Sequence, residues 1–222
     1  MLVVHHLNDS RSQRILWLLE ELGVEYDLKR YERDPATLLA PPSLEAVHPL
    51  GKSPVVTDGE QVLAESGAIV EHLADRYGDG RLARLPGSDA RFRYTYWLHY
   101  AEGSAMPPLM LKLVFDRIAA APMPFFAKPV VRRIRQSVMD AFIGPQLKRH
   151  LDYMEAELAR NAWFVDDEFS AADIQMSFPV EIAVSRAGLD ATRPRLMDYL
   201  RRIHERPAYR RALERGGSYA YA

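Results

Sequence analysis

Three short runs hold the residues best suited to chemistry, and none is a signature alone. Ser10-Arg11-Ser12 stands where an apolar, β-favouring stretch (residues 2–7) hands over to a helical stripe of Ile15, Leu18, Leu19 and Leu22. A helix start gathers unpaired N–H groups and partial positive charge, so it favours an anion. If that anion were a ligand thiolate, a serine hydroxyl donating to it would lower the thiol pKa from about 8.5. The same residues also suit a plain helix cap, because Ser10 and Gln13 have capping-box spacing.

The second run is His48-Pro49-Leu50-Gly51-Lys52-Ser53-Pro54-Val55. A proline entering a strand removes a ladder donor and marks a cis bond in a tight turn. A cis bond would present the main chain of Val55 to an extended, peptide-like ligand by β-addition. Lys52 and His48 would then meet a ligand carboxylate. In the third run, Glu65-Ser66 precedes Gly67-Ala68-Ile69-Val70. Ser66 pairs a hydroxyl with an early-helix N–H, which suits a carboxylate, while Glu65 suits a neighbouring ammonium. An α-amino acid end group carries both.

Other chemistry is excluded or unsupported. The chain has no cysteine, so any thiol must come from a ligand. Its seven histidines lack metal spacing, and His5 and His6 should point to opposite faces of a strand. No HExxH, G-x-S-x-G, phosphate-loop or G-x-G-x-x-G pattern occurs. A net charge of -1 gives a nucleic-acid partner no global support, and Arg132-Arg133-Ile134-Arg135 reads as a solvated helix face. The start is unlike a signal peptide and no run of about 18 apolar residues occurs, so a cytoplasmic protein with no membrane span is expected.

The elements that must position these runs follow from periodicity. A strand at 2–7, a helix from Ser12 to Gly23 and an alternating stretch at 24–31 make a βαβ unit with parallel strands. Residues 34–54, with five prolines, should be mostly irregular around one short helix near 43–47. Two short strands flanking Asp58-Gly59 predict a hairpin. Ile69, Val70, Leu73 and Tyr77 form a helical stripe stopped by Gly78. Residues 78–88 read as a linker, and all beyond it reads helical, at 89–118, 130–160, 171–187 and 195–213. Pro107-Pro108 should kink or break the first of these. The aromatics from Phe92 through Tyr94, Tyr96 and Trp97 to Tyr100 suit core or subunit interface, and Ser170-Ala171-Ala172-Asp173 is a structural capping box.

In this order the runs resemble the cytosolic glutathione transferase family. The match rests on Leu7-Asn8-Asp9-Ser10-Arg11-Ser12-Gln13-Arg14 leading into Trp17-Leu18-Leu19-Glu20-Glu21-Leu22-Gly23, on Pro49 to Val55, and on Glu65 to Ile69 with Leu73-Ala74-Asp75-Arg76-Tyr77. Phe169-Ser170-Ala171-Ala172-Asp173-Ile174 and Glu205-Arg206-Pro207-Ala208-Tyr209 extend it through the second half. The Ser-Arg-Ser start looks most like a bacterial and fungal subgroup. The resemblance implies a thioredoxin-like α/β domain (1–80) that binds glutathione, followed by an all-helical domain (89–222). It implies that Val55, after cis-Pro54, pairs with the cysteinyl main chain, that Glu65 and Ser66 take the γ-glutamyl end, and that Lys52 and His48 take the glycine carboxylate. His48 stands where the family usually has Asn. The thiolate would sit by Ser10, with Asn8 and Ser12 as the other candidates to activate it. Tyr100, Met106 and Phe115 would wall the pocket for a small hydrophobic electrophile. A homodimer and a detoxifying transferase are implied. A non-catalytic interaction module of the same fold and a glutathione-dependent peroxidase are the alternatives.

Overall fold

The computed structural model describes residues 1–37 and 39–222. The expected irregular stretch at 34–54 therefore includes Leu38, which lies outside the described residues. Four strands, β1 (Leu2–Leu7), β2 (Asp27–Tyr31), β3 (Val55–Asp58) and β4 (Gln61–Ala64), form one sheet in the order β2-β1-β3-β4. β1 and β2 are parallel, as the intervening helix α1 (Gln13–Leu22) requires. β3 runs antiparallel to both β1 and β4, and the β3–β4 hairpin turns at Gly59 with φ +62°.

The register decides the function of this sheet. His5 pairs with Val55, and Val55 with Ala64, so the three residues lie in one row across the sheet. The chain leaves β1 just after this row, enters β3 at it and leaves β4 at it. The loops carrying Ser10, Lys52-Ser53 and Glu65-Ser66 therefore share one edge.

The sheet's helices bury a stripe each. Ile15, Leu16, Trp17, Leu18 and Leu19 of α1 are fully buried, as are Ile69, Val70, Leu73 and Ala74 of α3 (Ser66–Tyr77). Gly23 ends α1 at φ +70°, where a side chain would be strained. The short helix α2 (Pro42–Glu45) starts on a proline, whose missing N–H is no loss at that position.

From Asp89 onward the structure is helical: α4 (Asp89–Tyr100), α5 (Met106–Ala120), α6 (Lys128–Val138), α7 (Gly144–Arg160), α8 (Ala171–Ala187), α9 (Pro194–Glu205) and α10 (Pro207–Gly216). The expected break at Pro107-Pro108 is instead a register change. A π turn, Ala101–Ala105, joins α4 to α5, and the Met106 N–H reaches the Ala101 carbonyl. The two prolines have no N–H to donate, so widening the preceding turn lets the helix run on without a break in the chain of helical residues. The same device recurs at Met139–Ile143, ahead of Pro145, where the Gly144 N–H reaches the Met139 carbonyl. The single helix expected at 195–213 is two, because Arg206 before Pro207 is extended at ψ 131°.

The two halves meet through α1, which packs against α8 and α10 as well as α3. The Trp17 ring lies 5.7 Å from that of Phe169 and 5.1 Å, edge-on, from that of Tyr209. Gly216 closes the seam. A Cβ there would lie 2.7 Å from Gln13 Oε1 and 2.9 Å from Leu16 Cδ1, so any larger residue would make those two side-chain ends shift where α10 meets α1.

The capping box at α8 forms. The Asp173 carboxylate accepts the Ser170 N–H at 2.9 Å, the Ser170 hydroxyl at 3.1 Å and the Phe164 N–H at 2.9 Å. The group is fully buried, and desolvation pushes its pKa up to about 6 against these stabilising bonds. Asp173→Ala would leave three buried donors without an acceptor. A loss of about 2–4 kcal/mol is expected from chemical denaturation, and an unchanged midpoint would contradict this role.

Candidate functional site

The turn between β1 and α1 is built by serine hydroxyls bonding back to main chain. Ser12 Oγ accepts the Leu7 N–H at 3.3 Å, and Ser10 Oγ accepts the Ser12 N–H at 3.2 Å. Asp9, at φ 48°, occupies the left-handed region at the tip, and its carboxylate accepts the Ala220 N–H of the C-terminal tail at 2.8 Å. The capping box expected between Ser10 and Gln13 is absent. No side chain caps α1, and the buried Gln13 amide has no partner among the described residues. The reason is local: α1 begins two residues later than a Ser10 cap requires, after Ser12, so the Ser10 hydroxyl accepts the Ser12 N–H instead.

Ser10 is the junction of this site. Its Oγ lies 2.8 Å from Ser12 Oγ and 3.1 Å from Ser53 Oγ. The second contact ties the β1–α1 turn to the loop before β3, at the residue that precedes the cis Ser53-Pro54 peptide bond. Ser12 is fully buried and also contacts His6 Nδ1 at 2.8 Å. Asn8 accepts the Arg33 N–H on its side-chain oxygen at 3.0 Å, so its carboxamide is engaged with the chain leaving β2.

In the second loop, Gly51 has φ +54°, and a Cβ there would come within 2.8 Å of Glu45 Cγ. This tight bend precedes Lys52, which is exposed and makes no ion pair among the described residues. His48 is half-buried, with Nδ1 enclosed and unpartnered. Pro54 and Val55 are buried, and Val55 is flanked on both sides by ladder neighbours. Pro54 leads into the ladder without an N–H, so the nearest residue ahead of Val55 with both an N–H and a carbonyl to offer is Ser53. In the third loop Glu65 has φ 71°, a strained value for a residue with a Cβ, and Ser66 is buried at the first turn of α3. The Ile69 N–H is the first of α3 to bond back, to the Glu65 carbonyl, which leaves the N–H groups of Ser66, Gly67 and Ala68 for other acceptors.

The helical half reaches the same loop through residues that no motif announced. Glu102, in the first π turn, accepts from Arg14 Nη1 at 2.5 Å and meets Arg11 Nε at 2.8 Å. Burial alone would raise its pKa, but the two guanidinium groups outweigh this and hold it below the carboxylate range. Both guanidinium groups also lie over the Phe178 ring of α8, at 5.2 and 5.0 Å. The Arg14 side chain is only 1% exposed, so Glu102 is its indispensable counter-charge. One partner sits on a π turn and the others flank Ser12, so no sequence spacing links them. Of the anticipated pocket residues, Tyr100 turns toward α7, its hydroxyl 2.6 Å from His150 Nδ1. Met106 is buried, and Phe115 is half-buried against the core.

The geometry meets its relatives at this point. A model of the glutathione S-transferase N-terminal domain matches residues 1–75, and one of the glutathione S-transferase C-terminal domain matches residues 131–207. Glutathione S-transferase 3 of Schizosaccharomyces pombe is 35% identical over 97% of this chain and 88% of its own. Glutathione S-transferase 1 of Saccharomyces cerevisiae is 35% identical over 82% of this chain and 81% of its own. The crystal structure of a glutathione S-transferase from Actinobacillus pleuropneumoniae superposes with a TM-score of 0.81, covering 97% of this chain and 93% of that one at 35% identity. The chain belongs to the glutathione S-transferase family.

The ring of His6 contacts the serine loop through Ser12, and its state is set by burial. Desolvation first, then the positive charge of Arg30, holds its pKa down to about 4, while a bond to the Gly216 main chain and the charge of Asp9 oppose the shift. His6 is therefore neutral near pH 7. The unfolded chain takes up this proton near pH 6.5 and the folded chain only near pH 4, so stability falls as pH drops through that window. Relative to His6→Asn, which cannot titrate, the wild-type protein should lose up to about 3 kcal/mol of unfolding free energy between pH 7 and pH 4. A difference independent of pH, measured by urea unfolding across that range, would contradict a neutral buried imidazole.

Proposed function

We infer that this glutathione transferase joins the thiolate of glutathione to small hydrophobic electrophiles held between its sheet-bearing half (1–80) and its helical half (89–222). The observation that carries the reading is the shared edge of the three loops. Each supplies the chemistry that one part of a γ-glutamyl-cysteinyl-glycine tripeptide needs.

The γ-glutamyl end meets the free N–H groups and hydroxyl at Ser66, with the Glu65 carboxylate taking its ammonium. Lys52, exposed and uncommitted among the described residues, pairs with the glycine carboxylate, and the His48 ring stands beside it. The cysteinyl main chain lies against residues 53–55, where Ser53 offers unpaired peptide groups ahead of the Val55 ladder. That places the sulfur near Ser10. Asn8 and Ser12 then act behind the thiol, since their polar atoms are already engaged by Arg33 and by His6 and Leu7.

The mechanism is ionisation followed by attack. A hydroxyl donating to the sulfur, together with the positive N-terminus of α1, favours the thiolate over the thiol. Each pKa unit of lowering needs about 1.4 kcal/mol, so one or two hydrogen bonds suffice to leave much of the thiol ionised at neutral pH. The thiolate then displaces a leaving group from the electrophile or adds to it, and the proton leaves to solvent. Met106 and Phe115, with Tyr100 behind them, supply apolar wall for that substrate.

A homodimer suits the surface. Phe92 and Tyr96 on α4, and Leu50 and Val62 in the first half, are large apolar side chains left exposed. Pairing the first half of one copy with the second half of another would cover both sets. No described helix is long and apolar enough to cross a membrane, and a cytoplasmic address is proposed.

Ser10→Ala tests the central assignment. Turnover with an aryl halide should fall about tenfold or more, while glutathione affinity by calorimetry changes less than about threefold. Unchanged turnover would remove Ser10 from the mechanism. Failure of the wild-type protein to bind glutathione would favour a non-catalytic module.

A further inference from the structure

We propose that Ser53 is a second hydroxyl donor to the bound thiolate, its proton left outermost by a one-way chain of hydrogen bonds running from Ser10 through Ser12 into His6. The proposal rests on the reading that the glutathione sulfur sits at this loop, and it names a further residue that touches it.

The direction of the chain follows from counting protons. The His6 ring is neutral, because burial and the Arg30 charge hold its pKa down, and its Nε2 lies beside Gly216. A neutral imidazole carries one N–H; with that N–H on Nε2, toward Gly216, Nδ1 has a lone pair and accepts. Its neighbour is Ser12 Oγ at 2.8 Å, whereas the Leu7 carbonyl lies farther from that hydroxyl, at 3.3 Å. The shorter contact takes the Ser12 proton. Ser12 Oγ has no second proton, so in the 2.8 Å contact with Ser10 it can only accept. Ser10 donates to Ser12, and its own oxygen accepts from the Ser12 N–H. In the 3.1 Å contact between Ser10 and Ser53, Ser53 is then the donor.

The three inner groups, His6, Ser12 and Ser10, are each buried, and Ser53 is half-buried at the solvent end. Its bond to Ser10 is longer than either inner hydroxyl contact, at 3.1 against 2.8 Å. Turning the Ser53 proton outward breaks one neutral hydrogen bond and leaves Ser10 satisfied by the Ser12 N–H. A thiolate would replace that bond with a charge-assisted one, about twice as strong. Turning Ser10 outward would instead break the tighter inner contact. A sulfur lying against residue 53 and near Ser10 is thus reached by two hydroxyls, and the Ser53 proton is the easier of the two to release. Four groups from three segments serve one atom: His6 on β1, Ser10 and Ser12 on the turn, and Ser53 on the opposite loop.

The test is the pKa of the enzyme-bound thiol, read from thiolate ultraviolet absorbance against pH, in wild type, Ser10→Ala, Ser53→Ala and Ser53→Thr. Ser53→Ala should raise that pKa by about one unit. The rate with an aryl halide should fall about tenfold at neutral pH and recover in alkaline solution, with glutathione affinity nearly unchanged. Ser53→Thr keeps the hydroxyl and should behave as wild type. If Ser53→Ala does not fold, Ser53→Val against Ser53→Thr gives the same comparison between isosteric side chains. A shift in Ser10→Ala with none in the Ser53 variants lacking the hydroxyl would overturn the role of Ser53 and leave Ser10 standing. No shift in either variant, with glutathione still bound, would overturn both.

Discussion

The proposed site of this chain depends on one register: His5 opposite Val55 opposite Ala64. Because side chains alternate along a strand, slipping the β1–β3 pairing by one residue would turn either the buried Val4 or the buried Val56 outward as well as separate the loops. The burial of those two valines, both fully enclosed, thereby fixes where Ser10 and Ser53 stand relative to each other. The site is a by-product of the core's own requirement, which is why short polar loops can be placed so accurately.

The second half holds the loop from behind. The paired charges of Arg11, Arg14 and Glu102 cross between α1 and the first π turn, and Phe178 lies beneath both guanidinium groups. Breaking a buried pair of this kind costs about 3–5 kcal/mol because the remaining charge is stranded. The π turn that carries Glu102 exists because Pro107 and Pro108 follow it. A proline pair, read from composition as a breaker, thus sets the register of a residue that braces the serine loop.

Much of this was legible in the sequence, and the reasons are specific. The strand and helix periods, the Asp58-Gly59 hairpin and the Ser170–Asp173 box are local signals, and local signals survive folding. Ser10, Lys52 and Ser66 were singled out because each sits at a helix start or a proline-bounded turn. What escaped was long-range. Ser53 reads in the sequence only as part of a loop, since nothing near residue 53 announces a partner 43 positions away. Glu102 and Phe178 carry no motif at all. The Ser10–Gln13 spacing suggests a capping box that does not form, because spacing cannot tell which residue begins a helix when two serines compete. Pro107-Pro108 predicts a kink or break, since the pattern of a proline pair does not reveal that one wider turn can absorb it.

The most direct test of the account is a crystal structure of the protein soaked with glutathione. The account predicts the tripeptide across the sheet edge, its sulfur within hydrogen-bond reach of the hydroxyls of residues 10 and 53, its γ-glutamyl end at the start of α3 and its glycine carboxylate at Lys52. Glutathione found elsewhere, or a sulfur out of reach of both serines with the main chain of residue 53 unpaired, would contradict it.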